Sequence, residues 1–420
     1  MVQDILERKK TNMVIFASIA NKENLMPLIE NRTPLLFMVA GKTIIDWIYS
    51  ISEEIGIEEI VLLVDKEERE ILEEALLKYM LPSEPIRKMG PFHLHDFNPK
   101  KGISRDLSNI LINDFLTEES IWLNGNSIFT IAFFEDFIRN AQGKGKFTIV
   151  RENENEKESI GIGWFAKRFL ENNLSGAKTV DDIYQRVSTK TASAFITMNY
   201  EPEKMEYWKI EYLWNLLDAN QVLINEIRER IDGVIEEGVT IKGKVVIEEG
   251  AKIRAGSYLE GPLIIGKNCD IGPNCYLRKG VSLDEEVKIG NACELKNTIV
   301  YKGSHIAHLS YVGDSIIGSN CNFGAGTITG NLRLDDQAVK ASINDSVVST
   351  GRRKIGVIMG DNVKTAINTF FMPGVIVGNN SAIGTGVIVS RNLPSNTFIY
   401  QEQELQTREW IVKPKQKKDG

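Results

Sequence analysis

Groups able to move a proton or hold a charge gather between residues 278 and 354 of this 420-residue chain. Of its four histidines, His305 and His308 fall inside that stretch. An imidazole with an ordinary pKa of about 6.5 can take up a proton near neutral pH, which makes His308 a candidate general base. A histidine satisfied by structural hydrogen bonds is the competing reading. Arg278 and Lys296 stand eighteen positions apart, and two fixed cations suit an anionic ligand; charges merely solvated at a surface are the alternative. Arg352, Arg353 and Lys354 form a second basic cluster. His93 and His95 alternate beside Asp96 and would share one strand face, where a hydrogen-bonded surface pair is favoured over a metal site. The four cysteines, Cys269, Cys275, Cys293 and Cys321, include no C-x-x-C pair, so they read as core filler and no metal site is expected.

A repeat must position these groups. From Ile235 to Leu295 every sixth residue is Ile or Leu, eleven in succession. A second, mostly apolar column follows four residues after each, and three of the cysteines occupy it. The period resumes as Met359, Thr365, Phe371, Val377, Ile383 and Val389. Six residues fit neither a helix nor one long strand; they fit short strands joined by turns and stacked into a prism. Gly238, Gly250, Gly256, Gly266, Gly272, Gly280 and Gly290 stand where the chain turns a corner, since glycine takes φ > 0 freely. Three repeats make one coil, which would stack Arg278 and Lys296 on one edge. His308 is expected where the register slips, its side chain free of the column. The polar break at 331–358 is too long for a corner, and loops of that length are usually functional.

A formal charge of −7 argues against wholesale binding of nucleic acid or anionic membrane. No apolar run has the length of a membrane span, and the charged start MVQDILERKK lacks the apolar core of a signal peptide, so a cytoplasmic location is expected. Upstream of the repeats, strand-like runs at 13–17, 60–64, 120–123 and 147–150, with a helical segment near 42–54, predict an α/β domain on a mostly parallel sheet. The expected layout is an extension over 1–12, the α/β domain over 13–222, a connecting helix over 223–233 read from LLDANQVLINEIRERI (216–231), the prism over 234–400, and a loosely held tail over 401–420.

The first half resembles the Rossmann-like nucleotidyltransferases that join sugar 1-phosphates to nucleoside triphosphates. The resemblance rests on the opening strand, NLMPLIENRTPLLFMVAGKTIIDWI (24–48), WLNGNSIF (122–129) and WNLLDAN (214–220). Its motifs are worn. The family's glycine-rich loop brings backbone N–H groups to the triphosphate, whereas this chain has SIANKEN (18–24) and no glycine before Gly41. The lysine expected after Arg32 is Pro34 or Leu35, the aspartate expected to hold Mg²⁺ is Asn126, and only Glu211 could replace a second one. A neutral amide is the weaker magnesium ligand. The resemblance therefore implies a retained fold with its phosphoryl chemistry lost or nearly lost, and Mg²⁺ only if this half is active.

The second half is similar to the hexapeptide-repeat acyltransferases, and more narrowly to the acetyltransferase half of the bifunctional glucosamine 1-phosphate acetyltransferase and N-acetylglucosamine 1-phosphate uridyltransferase family, archaeal members included. YLRKG (276–280), ELKNT (294–298), AHLSYVGD (307–314), NFGAGTITGN (322–331) and GRRK (351–354) carry the likeness. It implies a left-handed parallel β-helix, acetyl-CoA as co-substrate, and transfer to the amine of glucosamine 1-phosphate or galactosamine 1-phosphate on the way to UDP-N-acetylhexosamines. It puts His308, as base, and Asn331 at the reacting centre, Arg278 and Lys296 on the phosphate, and Tyr311, Asn322 and Asn331 around sugar hydroxyls, amine or carbonyl. Ala325 would offer a backbone N–H to the thioester oxygen, although the same GAG run also serves a tight turn. Arg352, Arg353 and Lys354 would anchor coenzyme A phosphates, and Thr385 would line the pantetheine channel. Members form homotrimers with sites between prisms, so the 331–358 loop is expected to reach a neighbour. Two departures stand out: Leu332 replaces a tyrosine and Gln337 a lysine, whose charge Lys340 could supply. The alternatives are an enzyme that keeps nucleotidylyl transfer as well, a non-catalytic scaffold subunit, and a metal hydrolyase of the carbonic anhydrase type; the last needs three histidine ligands, and the prism has two.

Overall fold

A computed structural model describes residues 11–79, 91–141, 147–151, 159–189, 195–199, 206–344 and 346–410. The first half is organised on a seven-stranded sheet of β1 (Asn12–Phe16), β2 (Ile60–Val64), β3 (Phe92–Asp96), β4 (Glu119–Asn124), β5 (Phe147–Arg151), β6 (Ile162–Ala166) and β7 (Phe195–Asn199). Their spatial order is β7-β5-β6-β4-β1-β2-β3. β1 (NMVIF) is buried along its whole length, as an inner strand of a sheet covered on both sides must be. Only β6 runs antiparallel to its neighbours. Helix α1 (Ile44–Ile55) begins at a capping box between Thr43 and Asp46 and ends at Gly56, whose φ is 79°. His93 and His95 lie on the edge strand β3, packed against the ring of Phe115. No helix among the described residues is long and apolar enough to cross a membrane.

The helix expected over 216–231 is shorter. It is α2 (Asn215–Leu223), and Arg230–Ile231 already form the first strand of the prism. The Asn225 amide donates to the carbonyls of Gln221 and Val222, at 2.8 and 3.4 Å, taking acceptors that another helical turn would have used.

The prism has three parallel sheets. Eight strands from Arg230–Ile231 to Ile376–Val377 make the first face, nine from Val234–Ile235 to Phe398–Ile399 the second, and eight from Thr240–Lys242 to Ile388–Val389 the third. The inward aliphatics and all four cysteines form one continuous column, each aliphatic contributing about 1.5–3 kcal/mol on burial. The register slips on either side of His308 and not at it. Leu295 and Val300 are consecutive column members only five residues apart, as are Val312 and Ile317. Each shortened corner is turned by a residue in the left-handed region, Asn297 (φ 46°) and Asp314 (φ 50°). Two corner glycines are also needed for another reason than φ. A Cβ on Gly290 would lie 1.8 Å from the Ala307 carbonyl oxygen, and one on Gly266 2.7 Å from that of Asp284.

The two halves share a core. Val246, Ile264, Ile299, Ile316, Ile358 and Ile376 point outward from the first face and join the hydrophobic cluster of the α/β half. The 331–358 loop also turns toward that half: Val339, Ala341, Ile343 and Ile355 belong to the same cluster. Asn220 of α2, fully buried, donates to the Gly280 carbonyl at 2.9 Å and accepts from Ala40 N–H at 2.9 Å and the Ser282 hydroxyl at 2.7 Å. Arg32 grips the Asp361 carboxylate at 2.8 and 2.9 Å and lies 4.6 Å over the ring of Tyr301.

With the Arg32 and Asp361 side chains only 10% and 7% exposed, Arg32→Ala strands a buried carboxylate. It should cost about 3–5 kcal/mol of stability in chemical denaturation, and a loss below about 1 kcal/mol contradicts the interface described. Burial pushes the thiols of Cys269, Cys275 and Cys321 up to about 12. Native protein near pH 8 should therefore resist iodoacetamide, whereas unfolded protein should take four labels; native labelling at these positions would show the column to be open.

Candidate active site on the prism

One cluster occupies the corner between the third and first faces. Tyr276, Glu294 and Tyr311 are stacked by register on the third face, with Arg278 and Lys296 following at its edge. Arg278 Nη1 bonds Glu294 Oε1 at 2.9 Å. Asp314, buried at the shortened corner, is the hub that holds the others. Its Oδ1 accepts from Asn297 Nδ2 at 2.8 Å, its Oδ2 from Asn331 Nδ2 at 2.6 Å, and Lys296 Nζ lies 3.8 Å from that oxygen. Asn331 Nδ2 also donates to the Tyr311 hydroxyl at 3.0 Å. Burial lowers the Lys296 pKa, and the neighbouring Lys354 and Arg278 add to this against the pull of Asp314. Space here is tight, because a Cβ on Gly313 would come within 2.3 Å of the Tyr311 hydroxyl. Arg278, Lys296, Tyr311 and Asn331 are thus brought together as expected, whereas the parts of Asp314 and Asn297 were missed. Their signal was the five-residue spacing from Leu295 to Val300 and from Val312 to Ile317.

A second group lies at the corner between the second and third faces. His308 follows Ile306 by two residues, as Ala325 follows Phe323, Ile367 follows Thr365 and Thr385 follows Ile383, and these column members are in register. Backbone bonds from Gly326 N–H to the His308 carbonyl (3.1 Å), from Asn368 to Ala325 (2.8 Å) and from Gly386 to Ile367 (3.0 Å) join the successive coils. His308 is exposed, so its ring is outside the column. Among the described residues the Ala325 N–H has no partner, whereas the N–H groups of Gly324 and Gly326 are both engaged. The strand Tyr311–Gly313 and the turn at Leu309 (φ 51°) lie between the two groups, which sit at opposite edges of the third face. Asn322 lies around the corner on the second face, beside His305.

The three consecutive cations of the loop do not converge. Arg352 is paired with Asp218 of α2, its side chain only 14% exposed, and Arg353 with Asp336 at 2.7 Å. Lys354 pairs as a bridge residue with Leu332 and is the one beside Lys296. Lys340, expected to replace the lysine missing at Gln337, instead lies on a hairpin (Lys340–Ile343 with Ser346–Ser349) whose backbone packs over Gly374. The loop returns to Leu332 at its far end, and it is Lys354 that comes beside Lys296 there.

In the first half a cleft of about 430 Å³ lies beyond the carboxyl ends of β1 and β4, where open α/β sheets bind ligands. Asn126 and Glu211 line it, with Lys178, Asp181, Asp182 and Lys209. Asn126 donates to the Ile210 carbonyl at 3.1 Å, and Glu211 is paired with Lys209 at 2.7 Å. The loop in the glycine-rich position is tied down, with Ser18 and Lys22 both on Glu68.

The family model described as the GMPPB C-terminal domain matches residues 259–372. The bifunctional protein GlmU of Methanocaldococcus jannaschii is 36% identical over 413 residues, covering 91% of this chain and 96% of the relative. GlmU of Methanococcus maripaludis strain C7 is 35% identical, covering 91% and 95%. The bifunctional sugar-1-phosphate nucleotidylyltransferase/acetyltransferase of Sulfurisphaera tokodaii is 37% identical over 194 residues, 46% of this chain and 48% of that one. With its α/β half and its left-handed parallel β-helix, the chain belongs to the archaeal GlmU-type family of bifunctional sugar-1-phosphate nucleotidylyltransferase/acetyltransferases.

Proposed function

We propose that the β-helix moves an acetyl group from acetyl-CoA to the amine of an amino-sugar 1-phosphate, glucosamine 1-phosphate or its galactosamine epimer, in the cytoplasm. The observation that carries this reading is the placement of an exposed imidazole and a cation cluster at opposite edges of one prism face. Arg278, Lys296 and Lys354 of one prism hold the phosphate. The amine is on the carbon next to the one that bears the phosphate, so the His308 that takes its proton as the nitrogen bonds to the thioester carbon comes from the facing edge of a neighbouring prism. The unpaired Ala325 N–H meets the negative charge growing on the carbonyl oxygen, and the carbon–sulfur bond breaks to release the coenzyme thiol. Thr385, further along the same edge, suits a pantetheine arm lying down the corner. Asn322 faces away from Arg278, so a sugar touching both bridges two prisms. That supports a homotrimer, and the exposed Phe370 (39%) and Ile388 (63%) offer apolar surface for it on the third face.

The first half, on this reading, keeps its cleft and has lost ordinary nucleotidylyl transfer, because Asn126 replaces a carboxylate and Arg32 is committed to Asp361. The open cleft and the bifunctional relatives favour a second reading in which that activity persists. Pyrophosphate release from UTP and N-acetylglucosamine 1-phosphate, measured on purified protein, decides between them.

His308→Ala should abolish thiol release from acetyl-CoA in the presence of the sugar phosphate while the protein remains a trimer on gel filtration; undiminished turnover would remove the base. Gly313→Ala pushes a methyl group against Tyr311 and Asn331. It should raise the sugar-phosphate KM about tenfold or more and leave the acetyl-CoA KM in place, and an unmoved sugar KM would take Tyr311 and Asn331 out of the acceptor site.

A further inference from the structure

The corner that carries His308 and Ala325 turns, coil after coil, on a residue in the left-handed region: Asn274, Ala292, Leu309, Gly326, Asn368 and Gly386. Glycine, asparagine and alanine suit that place. Leucine does not, because its bulk crowds a left-handed backbone. Among the described residues Leu309 (φ 51°) is the one non-glycine residue of positive φ with a large aliphatic side chain. It gains nothing by burial in return, being 64% exposed beside His308. A second aliphatic stands exposed at the same corner. Ile367, 52% exposed, lies one coil beyond Ala325 and one coil short of Thr385, tied by the bonds from Asn368 N–H to the Ala325 carbonyl and from Gly386 N–H to its own. The unpaired Ala325 N–H is therefore bracketed along the axis by two exposed aliphatics, Leu309 in the coil before and Ile367 in the coil after, at coil spacings of about 4.8 Å. Strain and exposure held together at one residue point to a ligand that both serve.

We propose that Leu309 and Ile367 close over the acyl thioester of the coenzyme and keep water from its carbonyl carbon. The inference rests on the acetyl-transfer reading above and deepens it. With the thioester oxygen on the Ala325 N–H and the pantetheine arm at Thr385, the carbon–sulfur bond passes Ile367, and Leu309 lies beside the imidazole. That imidazole can take a proton from water as well as from an amine, so the choice between them falls to the apolar cover. Without it, water adds to the carbonyl carbon, the carbon–sulfur bond breaks, and acetate, free thiol and one proton are released.

The test measures thiol released and N-acetylated sugar phosphate formed, side by side, on full-length protein and its variants. Leu309→Asn installs a residue that other coils use at this turn, so it should unfold in denaturant no earlier than wild type. It should raise the acetyl-CoA KM about tenfold at constant sugar-phosphate KM. Its thiol release without acceptor should rise several-fold, taking the ratio of thiol to acetylated product above the one-to-one of wild type. Ile367→Ser should do the same, and Ile367→Val should keep the wild-type ratio. A ratio that stays at one-to-one in both Leu309→Asn and Ile367→Ser overturns the proposal while the acetyltransferase reading stands. So does Leu309→Asn protein that falls from trimer to monomer on gel filtration with that ratio unmoved, which would make Leu309 a packing contact between prisms. Wild-type protein that releases no thiol beyond spontaneous hydrolysis with any amino-sugar phosphate overturns the acetyltransferase reading, and this inference with it.

Discussion

One aliphatic side chain buried per strand, every six residues, is the constraint on which the rest depends. It fixes the coil, so residues one coil apart share an edge whatever their own chemistry. Glu294 over Tyr276 and Tyr311 over Glu294 follow from that stacking alone. The site appears where the constraint is relaxed by a single residue, twice in succession. Asn297 and Asp314 turn the shortened corners with φ of 46° and 50°, and their side chains then face each other, Asn331 and Lys296.

The α/β half is held to this column by its own burial. A face of Val and Ile that would otherwise be exposed is covered by the sheet domain, and the polar atoms within the contact are largely satisfied, above all by Asn220 and by Arg32 with Asp361. A buried ion pair of this kind adds little over a well-packed apolar contact, but losing one partner is severe. The segment in which sequence likeness seeks triphosphate ligands has in this chain become a bolt between halves. That use gives the first half a structural task in the contact, with Ser18 and Lys22 tied to Glu68 and Asn126 to the Ile210 carbonyl.

The prism was legible because burial writes a period into the chain, and the site motifs were legible because they stand at fixed offsets from that period. The covered first face was equally visible and was passed over: VVI (245–247), LII (263–265) and VIV (375–377) carry an apolar residue at the outward position, as do Ile299, Ile316 and Ile358 in their coils, where the other faces carry mostly polar residues. The end of α2 at Leu223 was misread because LINEIRERI keeps a helical pattern, and only the Asn225 cap and the first coil's demand for a strand end it. Which of Lys340 and Lys354 returns to Leu332 was not legible, since a long loop's path depends on the surface it packs against. The same holds for Arg352, whose partner Asp218 lies far away in sequence.

The most direct measurement is free thiol released from acetyl-CoA by purified full-length protein, with each amino sugar offered as the free sugar and as its 1-phosphate. An acetyltransferase with its cations and imidazole at opposite edges of one face releases one thiol per N-acetylated sugar phosphate formed and strongly prefers the phosphorylated sugar. Thiol release no faster than spontaneous hydrolysis with every amino-sugar phosphate would contradict it and leave the prism a scaffold.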